Sequence, residues 1–599
     1  MRNLLLTGAA LAALSSPASA ATTVDEVIVT AARLPSKTDV ITGAHVIDRA
    51  EIEARNITFA ADLLSTVPGV GVARTGAFGG ATAIRLRGAS PDKTLVLIDG
   101  VPVDDPSDPN GAFDASSLQA GDLERVEVLS GPQSSLWGSE AIGGVVAFTT
   151  RELDGLRANL EGGSLSTVRG FVGAGTANDQ YALTANLGGF RTNGVSKADT
   201  GTERDGFKTL TANLGGRVSV SDTVRLDARL RYTTSEADID GFAPPTFLLG
   251  DTTARAKSRA WQGSARATVE ALGLSHQISV SAYDLHRQNL SSFPSTFDAQ
   301  RKVLRWTAAK GEVFVVGAER QQTDADLSSG KSRNLSNTAV FAVGRLNLGR
   351  LNLSRVTLTG SARYDDPEAY GSKATGRLAV AMDLGRGFTA VASTGTGFKT
   401  PTISQVVCDF CFAPAVELRP ERAEGYDLRL GWSDDRVSAA VTAYRLLVRD
   451  QISYVASRYI NIAKTSSSGL EAEFEAKLSD SLRLKLGYAW LDAIDRSTNR
   501  SLLRVPDHSG SAALFWTQGA WTAAVTARGE SSQSDTARNG FSRAVRGGFV
   551  TADLAASYAL NAQVTLTTRV ENLADRRYSE VLGYGEAGRT VFVGVKLRN

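Results

Sequence analysis

The sequence predicts an all-β membrane protein, an antiparallel barrel of about twenty-two strands with an N-terminal mixed α/β domain inside its lumen. Three observations carry this. From residue 151 to the C-terminus the chain alternates apolar and polar residues in strands of about ten residues or more, the length that crosses a bilayer. Short turns alternate with longer connections along the same stretch. No apolar run of helical transmembrane length occurs outside the N-terminus.

The bulk composition agrees. A chain of 599 residues exceeds one compact soluble core. Its 42% hydrophobic content looks soluble, but only alternate barrel residues face lipid. A net charge of +2 suggests no nucleic-acid partner. Two cysteines and four histidines leave little for a metalloenzyme built on soft ligands. His45, His276, His286 and His508 are scattered, and no Ser-His-Asp order or paired-acid site stands out, so no catalytic residues are assigned.

Residues 1–20 read as a secretory signal. Arg2 supplies the positive end, Leu4 to Leu14 a short apolar run and Ala18-Ser19-Ala20 a cleavage site. Residues 21–37 form a small, polar lead. Within it, Glu26 to Thr30 favours β structure and has no partner nearby in sequence. Such a segment suits addition to the sheet edge of another protein, or else opens the next domain as its first strand.

Residues 38–150 read as a compact α/β unit. Asp48 to Ala54 and Phe59 to Leu64 are predicted helices, the second ending at Val67-Pro68-Gly69-Val70. Thr94 to Ile98 is an apolar run of buried-strand type, followed by the turn pair Asp99-Gly100. Arg125 to Leu129 alternates before Gly131-Pro132, and Gly143-Gly144 precedes a strand over Val145 to Thr149. Arg85 and Arg87 are expected on the surface of a plug strand, with ligand binding as the alternative role. Two unusually open loops, 74–82 and 104–114, interrupt this unit.

From residue 151 to 599 the barrel pattern takes over. Val224, Leu226, Ala228, Leu230 and Tyr232 share one face, and Arg225, Asp227, Arg229 and Arg231 the other. Leu470 to Leu478 alternates with Glu471, Glu473, Glu475 and Lys477, so these acids are expected to line a wet lumen. The partner strand runs from Leu482 to an aromatic end at Tyr488 and Trp490, as at a membrane interface. Short turns are expected at 221–222, 385–387, 433–435, 479–480, 518–519 and 561–562. Closure of the strands removes the exposed edges that a bilayer forbids, and a lumen this wide needs filling.

Asp25 to Ala31, Val67-Pro68-Gly69-Val70, Ile84 to Gly88, Leu95 to Val101 and Gly138 to Val146, in this order and spacing, closely resemble the plug domain of TonB-dependent outer-membrane receptors. Thr396 to Pro401, Leu418 to Glu424, Asn461-Ile462-Ala463, Ser468 to Ala472, Val570 to Tyr578 and Gly583 to Arg589 extend the resemblance to the C-terminus. The plug wording, Gly583-Tyr584 with Ala587-Gly588-Arg589 and the modest length look most like the cobalamin-receptor branch. The resemblance implies a monomeric Gram-negative outer-membrane importer with TonB as periplasmic partner and the barrel-assembly machinery as folding partner. Cobalamin is the expected ligand. The alternatives are a receptor of this fold for a ferric siderophore, another metal chelate or an organic ligand, and, further off, a passive porin.

The same resemblance assigns sites. Asp25, Glu26, Val27, Ile28, Val29, Thr30 and Ala31 correspond to the TonB box. The two open loops correspond to the plug apex, with Arg74, Thr75, Phe78, Asp104, Asp105, Asn110 and Phe113 as ligand contacts. Asp199, Glu203, Asp205, Asp238 and Asp240 correspond to outer-loop calcium ligands, and clustered hard oxygens suit that ion; two solvated acidic loops are the plainer reading. Cys408 and Cys411, the two cysteines of a secreted chain, are expected to form a local disulfide. Four positions depart from the family pattern. Ser130 and Gln133 stand where arginines commonly flank the Gly-Pro, so any link from there to Glu421 and Glu424 is missing or rerouted. Trp137 replaces a tyrosine, and Asn599 replaces a terminal aromatic.

Overall fold

A computed structural model describes residues 27–28, 33–34, 36–37, 41–109, 111–242, 244–351 and 354–599. The signal segment 1–20 lies outside the described residues. Two bodies are nested. A closed antiparallel barrel of 22 strands surrounds an α/β plug.

The plug is built on a five-stranded sheet ordered Ala44–Ile47, Leu123–Ser130, Gly144–Thr150, Thr94–Ile98, Val101–Pro102. Thr94–Ile98 and Gly144–Thr150 run parallel, and the other neighbours antiparallel. All five residues of Thr94–Ile98 are buried. Its alternate side chains serve two cores. Val96 and Ile98 pack on the plug helices' side with Ile52, Leu63 and Phe148, whereas Leu95 and Leu97 pack toward wall residues Val315, Phe341 and Val343. A sheet covered on both faces needs a continuous apolar run rather than alternation.

The first plug helix, Arg49–Arg55, is capped by Asp48, whose side chain accepts from the Glu51 N–H. It ends at Asn56 in the left-handed conformation (φ 46°). The second, Ala60–Leu64, precedes the Val67-Pro68 turn. A hairpin of Val70–Arg74 and Thr82–Leu86 completes the outer half of the plug. A short helix at Ser134–Trp137, absent from the sequence reading, sits against barrel strands Ser354–Pro367, Lys373–Gly385 and Phe388–Lys399.

The barrel opens with Gly155–Gly163 and closes where that strand pairs with the last, Thr590–Arg598. Its strands range from eight residues at Val564–Glu571 to 23 at Leu249–Ala271. The turns at 222–223, 386–387, 434–436, 480–481, 519–520 and 560–563 each join neighbouring strands on one rim. The longer connections lie on the other. No helix among the described residues is long and apolar enough to cross a membrane; strands do the crossing.

Lipid and lumen faces separate as the alternation requires. Leu226, Leu230, Leu470 and Leu486 are exposed outward, whereas Arg231 and Glu471 are buried inward. Aromatic pairs mark both interfaces. Tyr232 and Trp261 (4.5 Å) lie toward the long loops, and Trp521 and Tyr558 (4.6 Å) beside the short turns.

Candidate functional site

The plug is seated by charge. Arg87 follows strand Thr82–Leu86 at φ 53° and donates its N–H to the Gly69 carbonyl. That bend sends its guanidinium into the wall, where Nε and Nη2 donate to Glu471 at 2.8 and 2.7 Å and Nη1 to Asp427 at 2.5 Å. The Tyr444 ring lies 4.2 Å from the guanidinium carbon. Gly69 (φ 75°) admits this approach, since a Cβ there would lie 2.1 Å from the Glu471 carboxylate. Arg87 is therefore no surface residue, and Glu471 does not line water: both are about 1% exposed. Glu473 and Glu475 are half-buried beside a lumen cavity.

Further pairs ring the plug. Lys93 meets Glu421 at 2.8 Å, Asp122 meets Arg231 at 2.6 Å, Glu51 meets Lys485 at 2.9 Å, and Asp104 meets Arg301 at 2.5 Å. Ser130 and Gln133 are buried, and the link to Glu421 runs instead from Lys93. Glu424 pairs with Arg449 of the neighbouring strand.

On the outward side, the open loops are tethered rather than free. Arg74 binds Asp62 (2.5 Å) and Glu586 (3.6 Å), and its N–H donates to Glu580. Asp62 and Glu586, with Glu580 close by, push the Arg74 guanidinium further up against the cost of burial. Phe78 stacks on Phe190 at 5.8 Å in a cluster with Phe59 and Phe207. Asp105 holds Arg287 at 2.8 Å. Phe113 packs on the plug core, Thr75 is half-buried, and Asn110 lies outside the described residues. Large aromatics that the sequence reading passed over stand exposed on the long loops instead: Phe293, Phe412 and Phe541. They sit in connections without periodicity, where pattern has nothing to report.

Three of the five acidic candidates converge. Carboxylate oxygens of Glu203, Asp205 and Asp240 lie within 4.8 Å of one another. Asp251, not singled out from sequence, joins them through Ser196, whose hydroxyl oxygen lies 3.1 Å from Asp240 and 3.0 Å from Asp251. Burial, with Asp240 alongside, pushes the Asp205 carboxyl up to about 6, and Glu203 is raised for the same reasons. Such crowding of hard oxygens fits a divalent cation of calcium type. Asp238 instead faces Arg255 at 3.2 Å, and Asp199 faces Arg538 at 2.5 Å.

Family models match most of the chain. Residues 36–145 match the TonB-dependent receptor plug domain, and residues 148–573 the TonB-dependent receptor-like β-barrel. The chain belongs to the TonB-dependent receptors. Solved structures agree on the fold. The siderophore receptor PirA of Acinetobacter baumannii has a TM-score of 0.78 at 16% identity, covering 93% of this chain and 98% of its own. The ferric enterobactin receptor PfeA of Pseudomonas aeruginosa, in a mutant form, has 0.78 at 17%, covering 94% and 99%. The ferripyoverdine receptor of the same organism has 0.78 at 13%, covering 96% and 88%. At these identities the likeness is one of fold.

A plugged barrel of this family sits in the outer membrane and works as a transporter coupled to TonB. Of the receptor's expected TonB-binding segment, Val27–Ile28 pairs antiparallel with Ser36–Lys37; Asp25, Glu26, Val29, Thr30 and Ala31 lie outside the described residues. Just beyond it, the Arg33 guanidinium lies between the rings of Trp137 (3.9 Å) and Phe341 (4.4 Å) and donates to Glu319 at 3.2 Å. Trp137 thus provides a broad face for a cation. On an outer loop of the receptor, Cys408 and Cys411 are disulfide-bonded after the capped helix Ile403–Val407.

Proposed function

We propose that this receptor captures a bulky ferric chelate of the siderophore class at its outer mouth and imports it with force supplied through TonB. The observation carrying the importer reading is the seated plug. Ion pairs such as Arg87–Glu471 and Asp104–Arg301 fasten it to the wall, so a solute must wait for the plug to move. The ligand class rests on the fold relatives PirA, PfeA and the ferripyoverdine receptor, whose names carry siderophores.

We infer an order of events on this reading. Ligand meets the long outer loops and the plug's outward loops, with Thr75, Phe78 and Phe113 nearest in kind to a ligand surface. Asp25 to Ala31 adds as a strand to TonB, with backbone hydrogen bonds supplying affinity. Tension on that segment first meets Arg33, wedged between Trp137 and Phe341. Past that latch, pull reaches the sheet strand Ala44–Ile47 and loosens the plug.

One observation favours a second reading, cobalamin with calcium: the Glu203, Asp205 and Asp240 cluster in the outer loops. Titration of the purified receptor with a ferric tris-catecholate and with cyanocobalamin, each with and without calcium, separates the two. Saturable binding of the ferric chelate alone supports the first reading. Calcium-enhanced cobalamin binding overturns it in favour of the second.

A further inference from the structure

A large cavity lies on the periplasmic side, away from the outer mouth. It holds about 1010 Å³ between plug helix Arg49–Arg55 and the wall strands on either side of the barrel's closure. It opens among the short turns near 435, 480 and 520. Pockets for drug-sized ligands hold roughly 300–1,000 Å³, so a compact chelate fits. Its lining is strongly cationic, with nine basic side chains against three acidic ones.

Several of these cations are not neutralised. The side chains of Arg157 and Lys596 line the cavity and make no ion pair or hydrogen bond among the described residues. Arg151 is drawn down to about 10 by burial with Arg49 and Arg157 close by. A low-dielectric recess with one sign of charge concentrates ions of the other.

A second cavity of about 120 Å³ lies further outward along the same wall, reaching Arg74, Phe78 and Gly588. Ile57 lines both. A polar knot links Arg569 of the outer lining to Asn56 and Arg169 of the inner one. Arg569 donates through Nε and Nη2 to Glu161 at 2.7–3.1 Å. Asn56 Nδ2 donates to the same carboxylate at 3.2 Å, and the Asn56 carbonyl accepts from Arg169 at 3.3 Å. Only Asn56 belongs to the plug. A shift of helix Arg49–Arg55 therefore removes it from the knot while Glu161 and Arg569 stay paired on the wall.

We propose that imported ligand leaves the lumen along this wall, that the cationic cavity is the exit vestibule for an anionic chelate, and that Asn56 in the Glu161–Arg169 knot is its seal. This rests on the importer reading and narrows it: a ferric tris-catecholate carries three negative charges, whereas cyanocobalamin carries none. A further lumen cavity on the periplasmic side, about 240 Å³, is smaller and mixes Arg429 and Lys485 with Glu51, Glu473 and Glu475.

The test uses the full-length receptor with R157E/K596E, and R157Q/K596Q as the milder variant. Both side chains are half-buried at the cavity, away from the outer mouth, so surface binding should stay within about twofold of wild type while energised uptake of a ferric tris-catecholate falls about tenfold for the reversal and less for the neutral pair. Unchanged uptake in both variants overturns the exit. Failure of wild type to take up the ferric chelate sinks the ligand reading instead. A ligand-free arm then still decides the vestibule. In N159C, whose thiol would line the cavity on the same face as Arg157 and opposite Lys596, a sulfonate-bearing thiosulfonate should react about tenfold faster than a trimethylammonium one, relative to their ratio on free cysteine. R157E/K596E should reverse that order. An N159C ratio equal to that of free cysteine overturns the cationic vestibule.

Discussion

Arg87 and Glu471 stand 384 positions apart in the chain and meet in a two-pronged ion pair at 2.7 and 2.8 Å, with neither more than about 1% exposed. Asp427 takes the remaining guanidinium edge. One plug arginine thus joins strands Glu421–Ser433 and Arg458–Ser479 from inside the barrel. A charge buried this deeply is tolerated because its donors are satisfied by carboxylates. Removing one partner leaves the other stranded.

Glu471→Gln should therefore loosen the plug. Breaking a buried pair costs ~3–5 kcal/mol, and Asp427, still in place, should hold the loss toward the lower end. The measurement is hydrogen exchange of 82–88 together with sensitivity of cells to large antibiotics. Faster exchange and greater sensitivity are expected. Wild-type exchange would mean that the pair does not seat the plug.

Arg33→Ala should free the lead without touching the outer mouth. Loss of the Trp137–Phe341 sandwich and the Glu319 bond is expected to raise proteolysis of residues 27–37 severalfold and leave ligand affinity unchanged. Limited digestion of the purified receptor reads this directly.

Calcium binding should follow the state of Asp205. Its carboxyl is held up at about 6, above the usual ~3.9. The folded receptor therefore holds that proton more tightly than the unfolded chain, and without a cation its stability falls as pH rises through that interval. A bound cation reverses the crowding, so affinity should be full at pH about 7.5 and weaken below about 6 as protons compete. Calorimetry at the two pH values checks the sign. Asp240→Asn should lower calcium affinity at least about tenfold, one charged ligand being lost.

Much of the scaffold was legible because barrel strands obey a strict period of two. Leu226, Leu230 and Leu470 face lipid, and the six short turns fall between strands. The helix read over Asp48 to Ala54 forms at Arg49–Arg55, and the apolar run Thr94–Ile98 is a fully buried strand. What stayed hidden depends on register between distant segments. Nothing local marks Arg87 as a plug-to-wall fastener, because its partners arrive from strands hundreds of residues later. Asp251 stands alone after Gly250, and only the pairing of Gly241 with Gly250 brings it to the other acids. Asp199 and Asp238 looked equivalent to their neighbours but turned to the nearby arginines Arg538 and Arg255. The cationic cavity draws its lining from both ends of the chain, from Arg49 to Arg598, so no single stretch reveals it.

Deletion of residues 25–31 tests the central claim most directly. Cells carrying the deletion, and cells lacking TonB, would be compared with wild type for surface binding and accumulation of the chelate that the titration selects. The account predicts normal binding with accumulation lost in both. Undiminished accumulation in either would contradict a TonB-driven plug and make the receptor a passive pore.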